Sequence, residues 1–233
     1  MEKDVSLKRR IKNVLRDIPF IYIPFKYFSS DLPLKKRIRC LHEHGDEAMQ
    51  CITKVIEDTG YEAFCDFGTL LGIIREKDFL KQDFDIDIGI VDRGDFEWDV
   101  LDKHLREQGF RPRHYFSDQG KKTEYTYVFR ELLTVDFFLY TPAEDDTMSW
   151  NCYFEDTSLV HQPGDVSIHV ATCPQTHGIQ KIPFRGTEVF IPCEPEKHLE
   201  AAYGKGWKVP DPNYQFDTTQ NILPYFGHMH MVD

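Results

Sequence analysis

The stretch from Phe84 to Val91 constrains the fold of this 233-residue chain more than any other. Phe84, Ile86, Ile88 and Ile90 alternate with Asp85, Asp87 and Gly89, the two-residue period of a β-strand with unlike faces. The isoleucines require a core on one side, so Asp85 and Asp87 point together from the other. Two carboxylates held this close repel unless a cation lies between them or one takes up a proton. Hard divalent ions suit such oxygen pairs, and Mg²⁺ or Mn²⁺ keeps open positions for water and phosphate oxygens.

Neighbouring segments place further groups beside this strand. Tyr125 to Arg130 and Leu133 to Tyr140 read as adjacent strands joined by a tight connection. The second carries Asp136 among Val135, Phe137 and Phe138, either as a third metal-binding carboxylate or as an edge residue facing water. Upstream, Leu34, Ile38, Leu41, Ala48, Ile52, Val55 and Ile56 recur at helical spacing and predict a helix ended by Gly60. Tyr61 to Phe67 predicts a short strand that runs into Gly68-Thr69 and a second helix reaching about Arg75. A glycine at such a turn lets backbone N–H groups approach phosphate, and Thr69 can cap or donate. Any strand-to-helix turn can use glycine, so its place just before the acidic strand is what gives it weight.

Residues 96–109 suit a helix closed by Gly109, and a further helix is expected from Pro195 to Gly204. Beyond Pro142 the chain is rich in turns, with short runs at 150–154 and 187–191 that can be strands. The expected fold class is α/β (α+β), a small mixed sheet flanked by helices, in one catalytic domain over residues 34–233.

Residues 1–33 form a separate basic and aromatic arm. Lys8, Arg9, Arg10, Lys12 and Arg16 precede the run Pro19-Phe20-Ile21-Tyr22-Ile23-Pro24-Phe25, which can either touch an anionic membrane surface or pack on the body. Residues 1–40 hold 11 Lys/Arg and 4 Asp/Glu, leaving 17 and 35 for the rest of a chain with net charge −11. So acidic a body disfavours nucleic acid and needs cations to bind phosphate. The six cysteines form no C-x-x-C pair and are expected to be buried, reduced thiols. No secretory h-region or bilayer-length apolar run occurs, so a cytoplasmic or membrane-peripheral protein is expected. Walker A, G-x-G-x-x-G and G-x-S-x-G patterns are missing, and His228-x-His230 has no evident third ligand.

The ordered run Asp66-Phe67-Gly68-Thr69-Leu70-Leu71-Gly72-Ile73-Ile74-Arg75, then Asp78-Phe79, then Asp83-Phe84-Asp85-Ile86-Asp87-Ile88-Gly89-Ile90, resembles the signature of the LicD family. The wider nucleotidyltransferase superfamily has a glycine turn, an acid-x-acid strand and a third strand acid, matched by Gly68-Thr69, Asp85/Asp87 and Asp136. Val189-Phe190-Ile191-Pro192, Leu199-Glu200 and Tyr203-Gly204-Lys205-Gly206-Trp207 resemble the family's late element, so the likeness covers roughly Leu34 to Pro210. One departure is Gln82-Asp83-Phe84, where members commonly carry Trp-Asp before the paired acids; Asp83 survives as an extra acid.

The resemblance implies metal-dependent transfer of a phospho-alcohol, such as phosphocholine or ribitol phosphate, from a CDP-activated donor to a carbohydrate hydroxyl, with release of CMP. It also implies Arg75 as a phosphate clamp, against pairing with Glu76, and Lys205 as a second one, against a helix C-cap role. Nucleotidyl transfer with loss of pyrophosphate, and a non-catalytic protein that binds a glycan or a partner, are the alternatives.

Overall fold

The computed structural model describes residues 34–154, 162, 164–211 and 222–232. The expectations for the 1–33 arm lie outside them. Helix α1 (Leu34–Thr59) buries a face that includes Leu41, Ala48, Met49, Ile52, Val55 and Ile56, and ends at Gly60 in the left-handed region (φ 71°). β1 (Ala63–Cys65) leads into the short helix α2 (Phe67–Leu71), and a π-helical turn (Gly72–Glu76) extends α2. β2 (Asp85–Val91) and α3 (Trp98–Glu107) follow at the expected places, and Gly109 takes φ 89° beyond α3.

Strands β3 (Arg111–Asp118), β4 (Lys121–Phe129), β5 (Leu133–Pro142), β6 (Thr147–Phe154) and β7 (Asp165–Pro174) form the main sheet with β1, β2 and β10 (Ile222–Met231). β8 (Ile179–Phe184) and β9 (Thr187–Pro192) make a separate hairpin, and α4 (Pro195–Tyr203) follows it with proline in its first turn. The main sheet runs β1-β2-β5-β4-β3-β10-β7-β6. β6 pairs back onto β5 through Thr141↔Ser149 and Pro142↔Met148. Six strands therefore close into a ring from which β2 and β1 continue outward.

β2 and β5 are parallel, while the other pairs of the sheet are antiparallel. The sheet is mixed, as expected, and larger than the small sheet foreseen. Strands β3, β7, β8 and β10 are additions to the sequence expectation. β7 alternates Asp165, Ser167 and His169 with Val166, Ile168 and Val170 and carries a strand signal that the sequence expectation leaves out, whereas β10 finds its partners more than fifty residues back in the chain.

The core explains the position of the acids. Ile86, Ile88 and Ile90 lie opposite Val135, Phe137 and Leu139 across the β2–β5 pair, and all six are buried with α1 and α3 on that face. Alternation then sends Asp85, Asp87 and Asp136 to the other face, inside the curve of the sheet. The cysteine expectation needs one correction: Cys193 is exposed and Cys51 and Cys152 are half-buried, because the first lies beyond the end of β9 and the others lie at the margins of the core.

Candidate active site

Asp87 and Asp136 stand side by side across the parallel register, and Asp85 lies two pairs away on the same face, opposite Thr134. Asp136 is therefore central in the sheet, with β2 on one side and β4 on the other, and is 8% exposed. The water-facing edge position is ruled out. The Thr126 hydroxyl on β4 donates to Asp136 Oδ1, and Thr126 is itself 3.2 Å from His114 Nε2 on β3.

Burial and mutual repulsion raise the pKa values of this group. Burial first, then Asp136 and Asp83, push Asp85 well above the usual carboxylate range, opposed by Arg37. Asp87 is raised by burial and by Asp85, Asp136, Asp83 and Asp66. Asp136 is raised by burial against the lowering effects of Thr126, Arg37 and Arg113. Asp83, next along the chain, is pushed up to about 7 by burial, with Arg75 pulling it down.

The buried cation Arg37 was not singled out by sequence, since it is one basic residue of a basic stretch on α1. Its Nη2 donates to Thr134 Oγ1 at 2.8 Å and lies 3.9 Å from Asp85 Oδ2, with the guanidinium 4.0 Å from the centre of the Phe84 ring. Half-buried Arg113 adds positive charge near Asp136. Against these two stand four acids, Asp83, Asp85, Asp87 and Asp136. Among the described residues no three His, Cys, Asp or Glu side chains already stand at metal-ligand spacing. Asp136 Oδ1 faces Thr126 and Asp85 Oδ2 faces Arg37. The surplus of negative charge and the all-oxygen donor set fit a hard divalent cation.

The turn before the acidic strand is tied to it by two bonds. Asp66 N donates to the Asp87 carbonyl at 2.9 Å, and Asp87 N donates to Thr69 Oγ1 at 2.9 Å. Thr69, 3% exposed, thus anchors the acid strand from within α2. The helix begins one residue before Gly68: Asp66 is its N-cap and Phe67 takes a left-handed φ of 40°. Gly68 is required for a different reason than turn geometry, because a Cβ there would lie 2.7 Å from Asp83 Oδ2. The absence of a side chain brings an acid against the turn.

Asp66 is fully buried and well supplied with donors. It accepts from Phe67 N at 2.7 Å and from Tyr140 Oη at 2.5 Å, and pairs with His198 Nε2 at 2.7 Å. This joins α4 to the turn. Asp66 opens the glycine-turn motif with no role assigned to it by the sequence pattern, and nothing local marks Tyr140 and His198 as its partners.

The basic residues are placed less centrally. Arg75 Nε pairs with Glu76 at 2.8 Å and its Nη1 donates to the Trp207 carbonyl at 3.1 Å, the first of which matches the surface-pair alternative. Lys205 is exposed in the turn after α4, and no hydrogen bond or ion pair holds it among the described residues. His228 and His230 sit on β10, facing Asp165 at 3.1 Å and Ser117 at 2.9 Å respectively, so their pairing is with the sheet.

A carboxylate group on the parallel β2–β5 pair, fronted by a capped glycine turn, defines the class as a nucleotidyltransferase-like α/β domain. Residues 60–194 match the family described as "LicD/FKTN/FKRP, nucleotidyltransferase domain", and the chain belongs to that family. It is 24% identical over 183 residues to the protein named ribitol-5-phosphate transferase FKTN of Mus musculus, covering 78% of this chain and 37% of that protein. The Homo sapiens protein of the same name is 24% identical over 164 residues, covering 70% and 33%. The chain thus spans about a third of the length of these relatives. The lincomycin-bound crystal structure of the lincosamide antibiotic adenylyltransferase LnuA is similar at a TM-score of 0.39 and 10% identity, over 70% of this chain and 87% of that one.

Proposed function

We propose that this protein is a metal-dependent transferase that moves a phospho-alcohol, of the ribitol phosphate or phosphocholine kind, from a CDP-activated donor to a glycan hydroxyl and releases CMP. The observation that carries the reading is the Asp85, Asp87 and Asp136 group in register on β2 and β5, facing the turn at Phe67 to Thr69. Family membership adds to it, as does the similarity to proteins named ribitol-5-phosphate transferase.

Bound Mg²⁺ or Mn²⁺, held by Asp85, Asp87 and Asp136, would neutralise phosphate charge and lower the pKa of an attacking hydroxyl. The protein's own groups do the rest. The Asp83 carboxylate occupies the space beside the bare Gly68 backbone, so a donor phosphate would reach the turn with Asp83 protonated or with the cation between them, and Thr69 with Asp66 keeps that turn in fixed relation to Asp87. A donor phosphate there would draw Arg75 from Glu76 into the clamp role, with Lys205 contributing at the rim. Asp83, against Gly68, can hold a proton near neutral pH and so accept or donate to the donor alcohol.

The test is to incubate the full chain and Mg²⁺ with CDP-ribitol, CDP-choline and CDP-glycerol and follow CMP. Release from one of them, dependent on the metal, is the expected result. Silence with all three removes the donor assignment. Labelled nucleotide on the product, with pyrophosphate released from CTP, would replace it by nucleotidyl transfer.

A further inference from the structure

One carboxylate on the same face belongs to none of the arrangements above. Glu124 lies on β4 directly opposite Phe138 of β5, two residues beyond the Thr126↔Asp136 pair, and opposite Phe116 of β3 on its other side. The two-residue spacing puts it on the face of Thr126 and Asp136. It is half-buried, and no hydrogen bond or ion pair reaches its carboxylate among the described residues. Burial, and then Asp136, raise it well above the usual range. A half-buried acid with no donor is costly to the fold, and such costs concentrate where a ligand supplies the missing partner.

Its surroundings indicate the ligand. Tyr153 stacks on Phe116 at 4.6 Å, and its hydroxyl bonds that of Thr123, the residue before Glu124. Asn151 donates to Tyr153 Oη at 3.3 Å and to Asp118 Oδ2 at 3.0 Å. Asp118 Oδ1 is buried with no hydrogen-bond partner among the described residues, a second acceptor lacking a donor. Half-buried Phe138 offers an apolar ring beside Glu124. Acceptor oxygens, a side-chain amide and an aromatic surface in one row suit a molecule with several hydroxyls and an apolar C–H face. A nucleotide phosphate is not suited, since Glu124 and Asp118 would repel it.

Strand order sets the side of approach. The α2 turn and β1 flank β2, whereas β4 lies beyond β5, so Glu124 is separated from the phosphate turn by Phe138, whose ring meets Phe67 of the turn at 5.1 Å. An in-line displacement needs nucleophile and leaving group on opposite sides of the phosphorus. Resting on the transferase reading, we propose that Glu124 is a catalytic residue of the acceptor site: it binds the attacking hydroxyl of a sugar or polyol whose other hydroxyls meet Asp118 and Asn151. The hydroxyl oxygen bonds to phosphorus and the bond from phosphorus to the CMP oxygen breaks. CMP leaves with the bonding pair, and the hydroxyl proton passes to Glu124 and on to water.

The test compares the full chain with Glu124→Gln and Glu124→Asp, using whichever of the three CDP-alcohols the wild type turns over and a panel of methyl glycosides as acceptors. Glu124→Gln is expected to lower kcat for transfer about 100-fold or more, the scale of a lost general base. Donor KM and Mn²⁺ affinity should stay within about threefold, Tm should rise because an unpartnered acid has gone, and Glu124→Asp should restore part of the rate. Transfer by Glu124→Gln within about threefold of wild type overturns the role. So does a tenfold or greater loss of Mn²⁺ affinity, which would make Glu124 a metal ligand, or a fall in Tm that accounts for the lost activity. A wild type inert with all three donors removes the donor reading, and this role with it, before any variant is made.

Discussion

Two sets of acids, joined by the bond from Asp66 N to the Asp87 carbonyl, are treated oppositely by the fold. Asp66 is sealed from solvent and receives a backbone N–H, the Tyr140 hydroxyl and the His198 ring. Asp85, Asp87 and Asp136 are set into the sheet with few donors and against one another, and their pKa values are all raised. A buried carboxylate with donors is part of the framework; a group of them without donors is a site waiting for charge. The comparison separates roles that the sequence shows only as a run of aspartates.

The strongest way to break the comparison is to remove an acid from each set. Asp87→Asn is expected to reduce CMP release from the donor by about 1000-fold, roughly 4 kcal/mol of transition-state stabilisation, while the folded protein is retained or gains stability. Asp66→Ala should do the reverse in kind. Stripping the donors on Phe67, Tyr140 and His198 of their acceptor is expected to destabilise the fold by about 3 kcal/mol. Chemical denaturation of the two variants beside a CMP assay decides it. If Asp87→Asn unfolds the protein as readily as Asp66→Ala, the acids form one structural group and the distinction is lost.

Much of this was legible in the sequence because it is local. The alternation of Ile86, Ile88 and Ile90 with Asp85 and Asp87 sets face and strand together, and Gly60, Gly109 and Gly204 mark helix ends that the structure keeps. What escaped is non-local. Arg37 reaches Thr134 across 97 residues and His198 reaches Asp66 across 132, and each lies in a helix whose pattern says only that it is buried. Glu124 was hidden for another reason. Tyr125, Tyr127 and Phe129 alternate with Glu124 and Thr126, but the expected strand begins at Tyr125 and so leaves Glu124 outside it, and the register shift at Thr123 that ends the alternation depends on the partner strand.

The repulsion within the second set predicts a pH dependence of the metal-free protein. Asp83 has a folded pKa of about 7, and the other three are raised, so between the ordinary carboxylate range and neutral pH the folded state binds more protons than the unfolded state. Stability therefore falls as pH rises through that window. His114 acts in the opposite sense: burial depresses it to about 4, so the folded state binds fewer protons below the ordinary histidine range. Above about pH 6.5 its contribution fades and the carboxylates dominate. Metal-free protein should be about 1 to 2 kcal/mol more stable near pH 6.5 than near pH 8, and Mg²⁺ should shrink the difference. Thermal melts at both pH values with EDTA or Mg²⁺ measure it; a difference of the opposite sign would show that the acids are already compensated.

The smallest effect sharpens the boundary of the site. Arg75 is 15% exposed and held by Glu76 and the Trp207 carbonyl, whereas Lys205 is exposed two residues before Trp207. A solvated ammonium group feels a bound phosphate only through high-dielectric water, on the order of 0.2 to 1 kcal/mol. Lys205→Ala is therefore expected to raise donor KM by no more than about fivefold, with kcat and Tm unchanged and the effect erased by salt near 0.5 M. Arg75→Ala should have the larger effect, because it also frees Glu76 and leaves Asp83 without its nearest cation. Donor titrations of both variants at low and high ionic strength rank the two. A Lys205 effect that is tenfold or more and survives salt would mean that the turn after α4 closes onto the donor, and the acid-rich face would then be covered by a basic element that moves.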